Sequence, residues 1–249
     1  MWSEYQMRGK LMKRKITLLV GLLLSLSMGL AQDDNPIDAN NAIVIQNLSA
    51  IGAGGQNLGG TSMVISPARN ISGSVHLFES WTNTGVLEVT TGESTRFLIR
   101  NINFNLYRKV FESKVSEDTI FTFDNKSLER AYINGREFKE YYFPVERGST
   151  YFEVIYENSD FSLLKYHYLT FTEGSDNPMV NRPSKYEQQS TYYLRKKNSF
   201  KVFRMRKKDV VTLVGDKEGQ LMEFVDKYDL SFKRELDVKR MLDAVLGTE

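Results

Sequence analysis

Residues 51–62, IGAGGQNLGGTS, are the part of this 249-residue chain that comes closest to a phosphate-binding motif. A P-loop has the pattern G-x-x-x-x-G-K-[ST], in which backbone amides hold the phosphates and the Lys reaches the terminal phosphate groups. The glycine spacing and Thr61 match this pattern, but Gly60 stands where the Lys is required. A dinucleotide-binding loop has a third Gly where this chain has Asn57, and the TSMVISPARN that follows does not favour a helix N-terminus. The sequence therefore predicts a flexible spacer here and no nucleotide cofactor.

Histidine and carboxylate side chains offer two further kinds of site. His76 and His167 could bind a metal ion together with a carboxylate, but neither has a carboxylate two residues away on its own strand. Glu153 and Glu157 in YFEVIYE would share one face of a strand and could act as the carboxylate pair of a glycoside hydrolase. Alternatively, both residues lie on the solvent-exposed face of an antiparallel strand, which gives the same alternation of polar and apolar residues. Because no complete catalytic constellation is present, we expect no catalytic residues, no metal or other cofactor and no enzymatic activity.

A basic hairpin is the last candidate site. The stretch RKKNSFKVFRMRKK interleaves two Phe with eight basic residues, which are Arg195, Lys196, Lys197, Lys201, Arg204, Arg206, Lys207 and Lys208. On an exported protein these residues could contact an anionic envelope surface, such as lipid head groups or lipopolysaccharide phosphates, or an acidic partner protein. Alternatively they protect a sheet edge, because Lys on an edge strand prevents pairing with another chain. The sequence leaves both interpretations open.

The N-terminus has the three parts of a secretory signal peptide. Basic residues between positions 10 and 15 precede the apolar residues 16–28, and small residues lie before an expected cleavage point after Ala31. The apolar run is shorter than the roughly 20 residues that cross a bilayer, so we expect cleavage of residues 1–31 and no transmembrane span afterwards. The excess of basic residues lies in this segment, so the charge does not indicate binding to nucleic acid. Export of a chain with 0 Cys fits the periplasm or outer membrane of a bacterium.

Hydrophobic patterning predicts a mainly β fold. Residues 32–72 are rich in Asn, Gly and Ser, which predicts a flexible leader with one or two short strands. Residues 73–206 alternate with a period of two between turn signals such as Asn134 and Gly135, and they predict an antiparallel meander of about 8–10 strands. Residues 207–249 change to a helical period and predict two or three short C-terminal helices of the same domain.

One long alternating stretch lies within the predicted meander. RFLIRNINFNLYRKVFE alternates between apolar and polar residues, which predicts one half-buried antiparallel strand or two strands with a bend. Strict alternation would put Leu98 and Ile102 on one face. Phe97 and Ile99 would then lie on the other face.

Four stretches between residues 73 and 245 carry a resemblance to known proteins. They are GSVHLFESWTNTGVLEV, RFLIRNINFNLYRKVFE, YFEVIYENSDFSLLKYHYLTF and the tail KKDVVTLVGDKEGQLMEFVDKYDLSFKRELDVKRMLDAV, of which the tail is the most specific. Together they resemble a family of uncharacterised exported β-rich proteins of Bacteroidetes-type bacteria. The resemblance implies a signal peptide, an aromatic β-meander and a helical tail, and it brings no assigned reaction or catalytic residues.

These observations favour an exported, non-enzymatic cell-envelope protein whose β-sheet provides a binding or scaffolding surface. Its partner would be another envelope protein or an anionic envelope surface. One alternative is a hydrolase of envelope polymers, with Glu153, Glu157 or His167 as its acid or base in a deep cleft. The other is a small-ligand binder, which requires the sheet to close around an apolar pocket.

Overall fold

Fourteen strands and three α-helices make up the described part of the chain, which is residues 43–44, 59–64, 71–90, 94–175 and 182–247 of the computed structural model. The strands are β1 (Ile43–Val44), β2 (Gly60–Val64), β3 (Ile71–Ser72), β4 (Thr84–Thr90), β5 (Ser94–Arg100), β6 (Ile102–Asn105), β7 (Val110–Lys114), β8 (Thr119–Phe123), β9 (Leu128–Ile133), β10 (Arg136–Phe143), β11 (Gly148–Glu157), β12 (Ser162–Thr172), β13 (Ser184–Lys196) and β14 (Ser199–Phe203). The helices are α1 (Lys207–Val214), α2 (Glu218–Tyr228) and α3 (Glu235–Leu246). The expected signal peptide, residues 1–31, lies outside the described residues.

The strands form one large sheet and one small sheet. The large sheet holds ten strands in the order β1-β5-β4-β9-β10-β11-β12-β13-β14, with β3 paired to β13. Its pairings are antiparallel except those of β1 with β5 and of β3 with β13. The small sheet has the antiparallel order β2-β8-β7-β6. The mainly β class with C-terminal helices is confirmed, but the described strands are divided between two sheets and do not form a single meander.

Asn101 is the corner at which the chain passes from the large sheet to the small one. It separates β5 from β6 with a φ of 54°, a left-handed conformation that Asn tolerates better than most residues. The corner residue shifts the alternation, so Phe97 and Ile99 before it and Ile102 after it all lie in one core. The expectation that Leu98 shares a face with Ile102 is therefore wrong, whereas the alternative of two strands with a bend is confirmed.

One face of the large sheet, which we name the covered face, carries Phe138 and Leu163 and supports two layers side by side. Over β4, β5, β9 and β10 it packs against the small sheet, where the ring centroid of Phe104 on β6 lies 5.9 Å from that of Phe138 on β10. Over β11–β14 it packs against the helices, and Leu163 shares an apolar cluster with Leu242 of α3. Burial of such a side chain contributes roughly 1.5–3 kcal/mol, so these clusters hold both layers on the sheet.

The opposite face, which we name the curled face, carries Phe143 of β10 and Phe152 of β11. The sheet curls so strongly here that the ring centroid of Phe143 lies 5.3 Å from that of Phe200 on β14. In a flat sheet the four intervening strand spacings would separate these strands by roughly 19 Å. Tyr166 and Tyr193 pack into the same cluster. The described strands therefore form an open sheet with aromatic rings packed on its concave side, where a smaller cleft of about 380 Å³ is lined by Tyr141, Arg195 and Phe200.

Part of the expected leader, residues 32–72, belongs to the small sheet. Strand β2 pairs along its whole length with β8, and Gly60 lies opposite Phe123. A Cβ atom on Gly60 would lie 2.4 Å from the ring of Phe121, so this glycine is closely packed. Strands β1 and β3 also fall within the range. Gly60 is thus part of a strand and not of a spacer, while residues 51–58 of the Gly-rich stretch lie outside the described residues.

Local turn signals agree with the structure. Asn134 and Gly135 have φ values of 52° and 76° and join β9 to β10, as their sequence predicts. Gly215, with a φ of 55°, ends α1, and Gly247 ends α3. Among the described helices, none combines the length and apolar character needed to cross a membrane.

Candidate functional site

A cleft of about 750 Å³ opens on the covered face between helix α3 and strands β11–β13. Three neighbouring strands line it with polar side chains, namely Glu153 of β11, His167 of β12 and Ser190 of β13. Lys239 of α3 and Leu77 complete two of its sides. Since Leu77 packs against the core between the two sheets, and α3 lies on the other side, the cleft lies between the two layers that cover this face.

Arg136, Glu153 and His167 form a closed group in this cleft. Arg136 donates from Nε to Oε1 of Glu153 and from Nη2 to Oε2, each over 2.6 Å. Nε2 of His167 lies 2.7 Å from the same Oε2. Strand register brings them together, because Glu153 lies opposite Phe138 on β10 and opposite Lys165 on β12. Arg136 and His167 are each two residues beyond those partners and therefore share the face of Glu153.

Burial and hydrogen bonding set the protonation states of this group. Burial raises the pKa of Glu153, but hydrogen bonds from His167 and Arg136 and the charge of Arg136 outweigh it and lower the pKa to about 2. Burial lowers the pKa of His167, and Glu153 offsets only part of this effect. A carboxylate can only accept, so the neutral imidazole donates from Nε2 to Glu153 and keeps its lone pair on Nδ1. The 3.0 Å approach of Arg136 Nη2 to Nε2 is then a contact between two N–H groups.

A second polar group attaches helix α3 to the sheet beside the cleft. Oε2 of Glu235, the first residue of α3, accepts from Nζ of Lys165 over 2.8 Å and from the hydroxyl of Tyr192 over 2.6 Å. Burial and the Glu235 carboxylate raise the pKa of Tyr192, so this phenol stays a neutral donor. Lys239, one turn further along α3, pairs with Asp243 over 2.8 Å. These contacts fix the helical side of the cleft against β12 and β13.

Glu153 and Glu157 do not share a face, which corrects the expectation from strict alternation. The register of β11 against β12 shifts between Val154 and Tyr156, as in a β-bulge, and the extra residue reverses the alternation. Glu157 consequently lies on the curled face, where its carboxylate pairs with Lys139. Burial raises the pKa of Glu157, but the hydrogen bond from Lys139 and those from neighbouring hydroxyls lower it overall. The two carboxylates therefore cannot flank one glycosidic bond.

The two histidines lie in separate ion-paired groups. Nε2 of His76 is 2.7 Å from Oε2 of Glu112 in the small sheet, and Arg108 donates to the other oxygen over 2.8 Å. His167 contacts Glu153 in the cleft. In both groups the histidine and its carboxylate come from different segments of the chain. The spacing of residues along one strand therefore could not predict either contact. Within the described ranges no group of three or more potential metal ligands occurs.

The eight basic residues of the predicted hairpin fall into two groups. A tip group lies around the β13–β14 turn and consists of Arg195, Lys196, Lys197 and Lys201. A base group lies where β14 leads into α1 and consists of Arg204, Arg206, Lys207 and Lys208. Strand β14 ends the order of the large sheet, so Lys201 is on an edge strand, as edge protection requires. The base group is exposed and forms no ion pair with any described residue.

Sequence reasoning missed Arg136 and Lys165 as residues of the site. One local signal was available for Arg136, since the Asn134-Gly135 turn fixes it at the start of β10. Its partner Glu153 depends on the register of the next hairpin, which no short motif specifies. Comparison with known proteins assigns no relative to the chain, because no family model matches it and no curated protein or solved structure is significantly similar to it.

Proposed function

We propose that the protein is an exported, non-enzymatic cell-envelope protein that binds a partner at the cleft of the covered face. The observation that carries this proposal is the closed group of Arg136, Glu153 and His167, whose charges are satisfied internally. Such a group shapes a fixed polar surface and supplies no free acid. The cleft volume of about 750 Å³ lies within the range of roughly 300–1,000 Å³ for ligand sites. Export rests on the signal-peptide pattern of residues 1–31.

The exposed groups around the cleft favour a partner that offers hydrogen-bond acceptors. The side chains of Arg136 and Lys239 are 29% and 45% exposed, whereas that of Glu153 is 5% exposed. Gln188 and Ser190 of β13 are also exposed beside the cleft. Carboxylates or backbone carbonyls of a partner can accept hydrogen bonds from these groups.

The same geometry supports binding over hydrolysis by carboxylates. A general acid at neutral pH needs a raised pKa, but the pKa of Glu153 is about 2 and both of its oxygens accept hydrogen bonds. Ser190 lies directly opposite His167 in the β12–β13 pairing. Among the described residues it makes no hydrogen bond to that imidazole, so the contact between nucleophile and base is not formed.

Site-specific photo-crosslinking in cells that produce the full chain tests the proposal. A photoreactive amino acid would replace Lys239 on the side of the cleft, and a matched variant would carry it at the exposed Lys126, outside the cleft. We expect a discrete crosslinked product from position 239 and none from position 126. The absence of a product at position 239, or the same product at both positions, would overturn the proposal.

Incubation of the purified chain with peptidoglycan tests the hydrolytic alternative. We expect mass spectrometry to detect no released soluble fragments. If the unmodified chain releases fragments and the His167→Ala variant does not, the protein is a hydrolase and the proposed binding function is wrong.

A further inference from the structure

Strand β13 has a free edge beside the cleft. On one side it pairs with β12 along almost its whole length. On the other side it pairs with β3 at its first two residues and with β14 only from Tyr192 onward. The backbone of Gly73 packs against the carbonyl oxygen of Tyr186. On this second side residues 187–191, about 16 Å of extended chain, therefore pair with none of the described strands, although the side chain of Gln188 donates from Nε2 to the carbonyl oxygen of His76 over 2.6 Å.

This free edge has little of the protection that sheet edges usually have, since its one charged residue, Glu187, is paired with Lys185 over 2.8 Å. Edge strands are usually blunted by Lys, Pro or a bulge. Strand β14 carries Lys201, but residues 187–191 read EQQST and pair with β12 without a register shift. Gln188, Gln189 and Ser190 are exposed. Since every second residue directs its N–H and C=O away from β12, an extended peptide can continue the ladder that β3 and β14 form at the two ends.

The charges around the edge indicate which peptide it fits. The base group lies where β14 turns away from β13, at one end of the free stretch, and its four cations have no ion-pair partner among the described residues. Alternate side chains of an added strand would lie beside Gln188 and Ser190, which line the cleft together with Arg136 and Lys239. The base group favours carboxylates, whereas in the cleft Arg136 and Lys239 already pair with Glu153 and Asp243 and offer their remaining N–H groups to further acceptors.

We propose that the free edge of β13 binds an extended acidic segment of a partner protein by strand addition, with the acidic side chains against the base group and the cleft. This inference rests on the proposed binding function and names the class of partner. Backbone hydrogen bonds supply the affinity in this mode, and side chains at alternate positions supply the specificity.

Hydrogen exchange of the full chain, with and without an octapeptide of alternating Val and Glu, tests the inference. Outward amides of residues 187–191 should exchange rapidly in the free protein, and saturating peptide should slow them about tenfold or more. Amides bonded to β12 should not change. Outward amides that are already protected in the free protein would show that a second copy or another part of the chain occupies the edge, and this would overturn the proposal.

Two N-methylated peptides separate strand addition from attraction between charges. N-methylation of one set of alternate residues removes the bonding amides and should weaken binding by about tenfold or more, because each lost backbone hydrogen bond costs about 1 kcal/mol. N-methylation of the other set should change the affinity by less than about twofold, because those amides face away from β13. Equal affinities for the two peptides would exclude strand addition.

Charge reversal tests the role of the base group. At low salt, Arg204→Glu with Arg206→Glu should weaken peptide binding about tenfold, and a Val-Lys peptide should not bind. The control reverses two exposed cations outside the base group, Lys126→Glu with Lys227→Glu, and should stay within about twofold of the unmodified chain. If no acidic peptide binds while position 239 still crosslinks, strand addition is wrong and the proposed function stands. If both experiments fail, both proposals are wrong.

Discussion

Glu153 and Glu157 lie on one strand, four residues apart, and face opposite sides of the large sheet. A flat strand would put both on the same face, since side chains alternate with a period of two. The bulge adds one residue between them and sends Glu153 into the cleft with Arg136 and Glu157 to the curled face with Lys139. Each carboxylate can therefore be changed without touching the other's partners.

Replacement of Glu153 by Gln should destabilise the protein by about 3 kcal/mol, because it leaves the partly buried guanidinium of Arg136 without its counter-charge. Glu157→Gln is the matched control. Its carboxylate is 26% exposed and its partner Lys139 keeps a second carboxylate, Glu137, at 3.6 Å, so its loss should cost less, roughly 1 kcal/mol. Urea denaturation of the two variants at pH 7 measures the difference. Equal losses in the two variants would mean that the closed group in the cleft contributes no special stability.

Stability should decrease on acidification in two stages. Burial lowers the pKa of His167 from its ordinary 6.5, so the unfolded state takes up this proton first and stability falls once the pH drops below about 6.5. The pKa of Glu153 falls from 4.5 to about 2 on folding, so its contribution, on the order of 3 kcal/mol, is present above pH 4.5 and is lost toward pH 2. Denaturation curves between pH 2 and pH 8 measure both stages. His167→Gln should remove the first stage, and an unchanged first stage in that variant would contradict the assignment.

Gly60→Ala should destabilise the protein, because its Cβ would lie 2.4 Å from both the ring of Phe121 and the carbonyl oxygen of Thr122. Overpacking of this kind costs about 1–3 kcal/mol. The adjacent Gly59→Ala is the control, since the nearest atom to its Cβ would be at an ordinary 3.5 Å. Differential scanning calorimetry should show a lower melting temperature for the first variant and nearly no change for the second. If neither variant changed the melting temperature, Gly60 would not be closely packed, and the prediction of a flexible spacer would hold at this position.

Substitution of Asn101 tests whether the left-handed corner between the two sheets is strained. Its φ of 54° costs an L-residue with a plain Cβ about 1–2 kcal/mol, whereas Gly adopts it freely. Asn101→Ala should therefore lower the melting temperature by about 2–4 °C per kcal/mol lost in a chain of this size, and Asn101→Gly should stay closer to the unmodified protein. An Ala variant as stable as the Gly variant would mean that the left-handed corner is not strained.

The sequence predicted those parts of the fold that depend on short segments. Asn134-Gly135 and the change of period near residue 207 are local signals, and both predictions hold. The alternating stretch that contains Asn101 was ambiguous because one residue in a left-handed conformation exchanges the two faces. Nothing in RFLIRNINFNLYRKVFE distinguishes that corner residue from the other Asn residues nearby.

The candidate site could be predicted only in part, because it depends on pairing between strands. Glu153 and His167 were both candidates, but their contact follows from the β11–β12 register and the bulge within it. A bulge is set by tertiary packing, and the apolar residues around Ile155 give no sign of it. Arg136 was missed for a related reason, since its role requires β10 and β11 to be aligned first.

Lys201→Val should make the protein self-associate through the exposed edge of β14. Val202 is already 55% exposed, and the substitution would turn the strand into SFVVF, a short apolar β-forming segment at the end of the sheet. Charge on an edge strand opposes pairing between sheets whatever its sign, so Lys201→Glu is the control. Light scattering over increasing concentration should detect self-association of the Val variant alone, while circular dichroism shows the same β content in both variants. If the Val variant scatters no more than the Glu variant, Lys201 does not protect the edge, and the contact of the tip group with an anionic envelope surface becomes its better explanation.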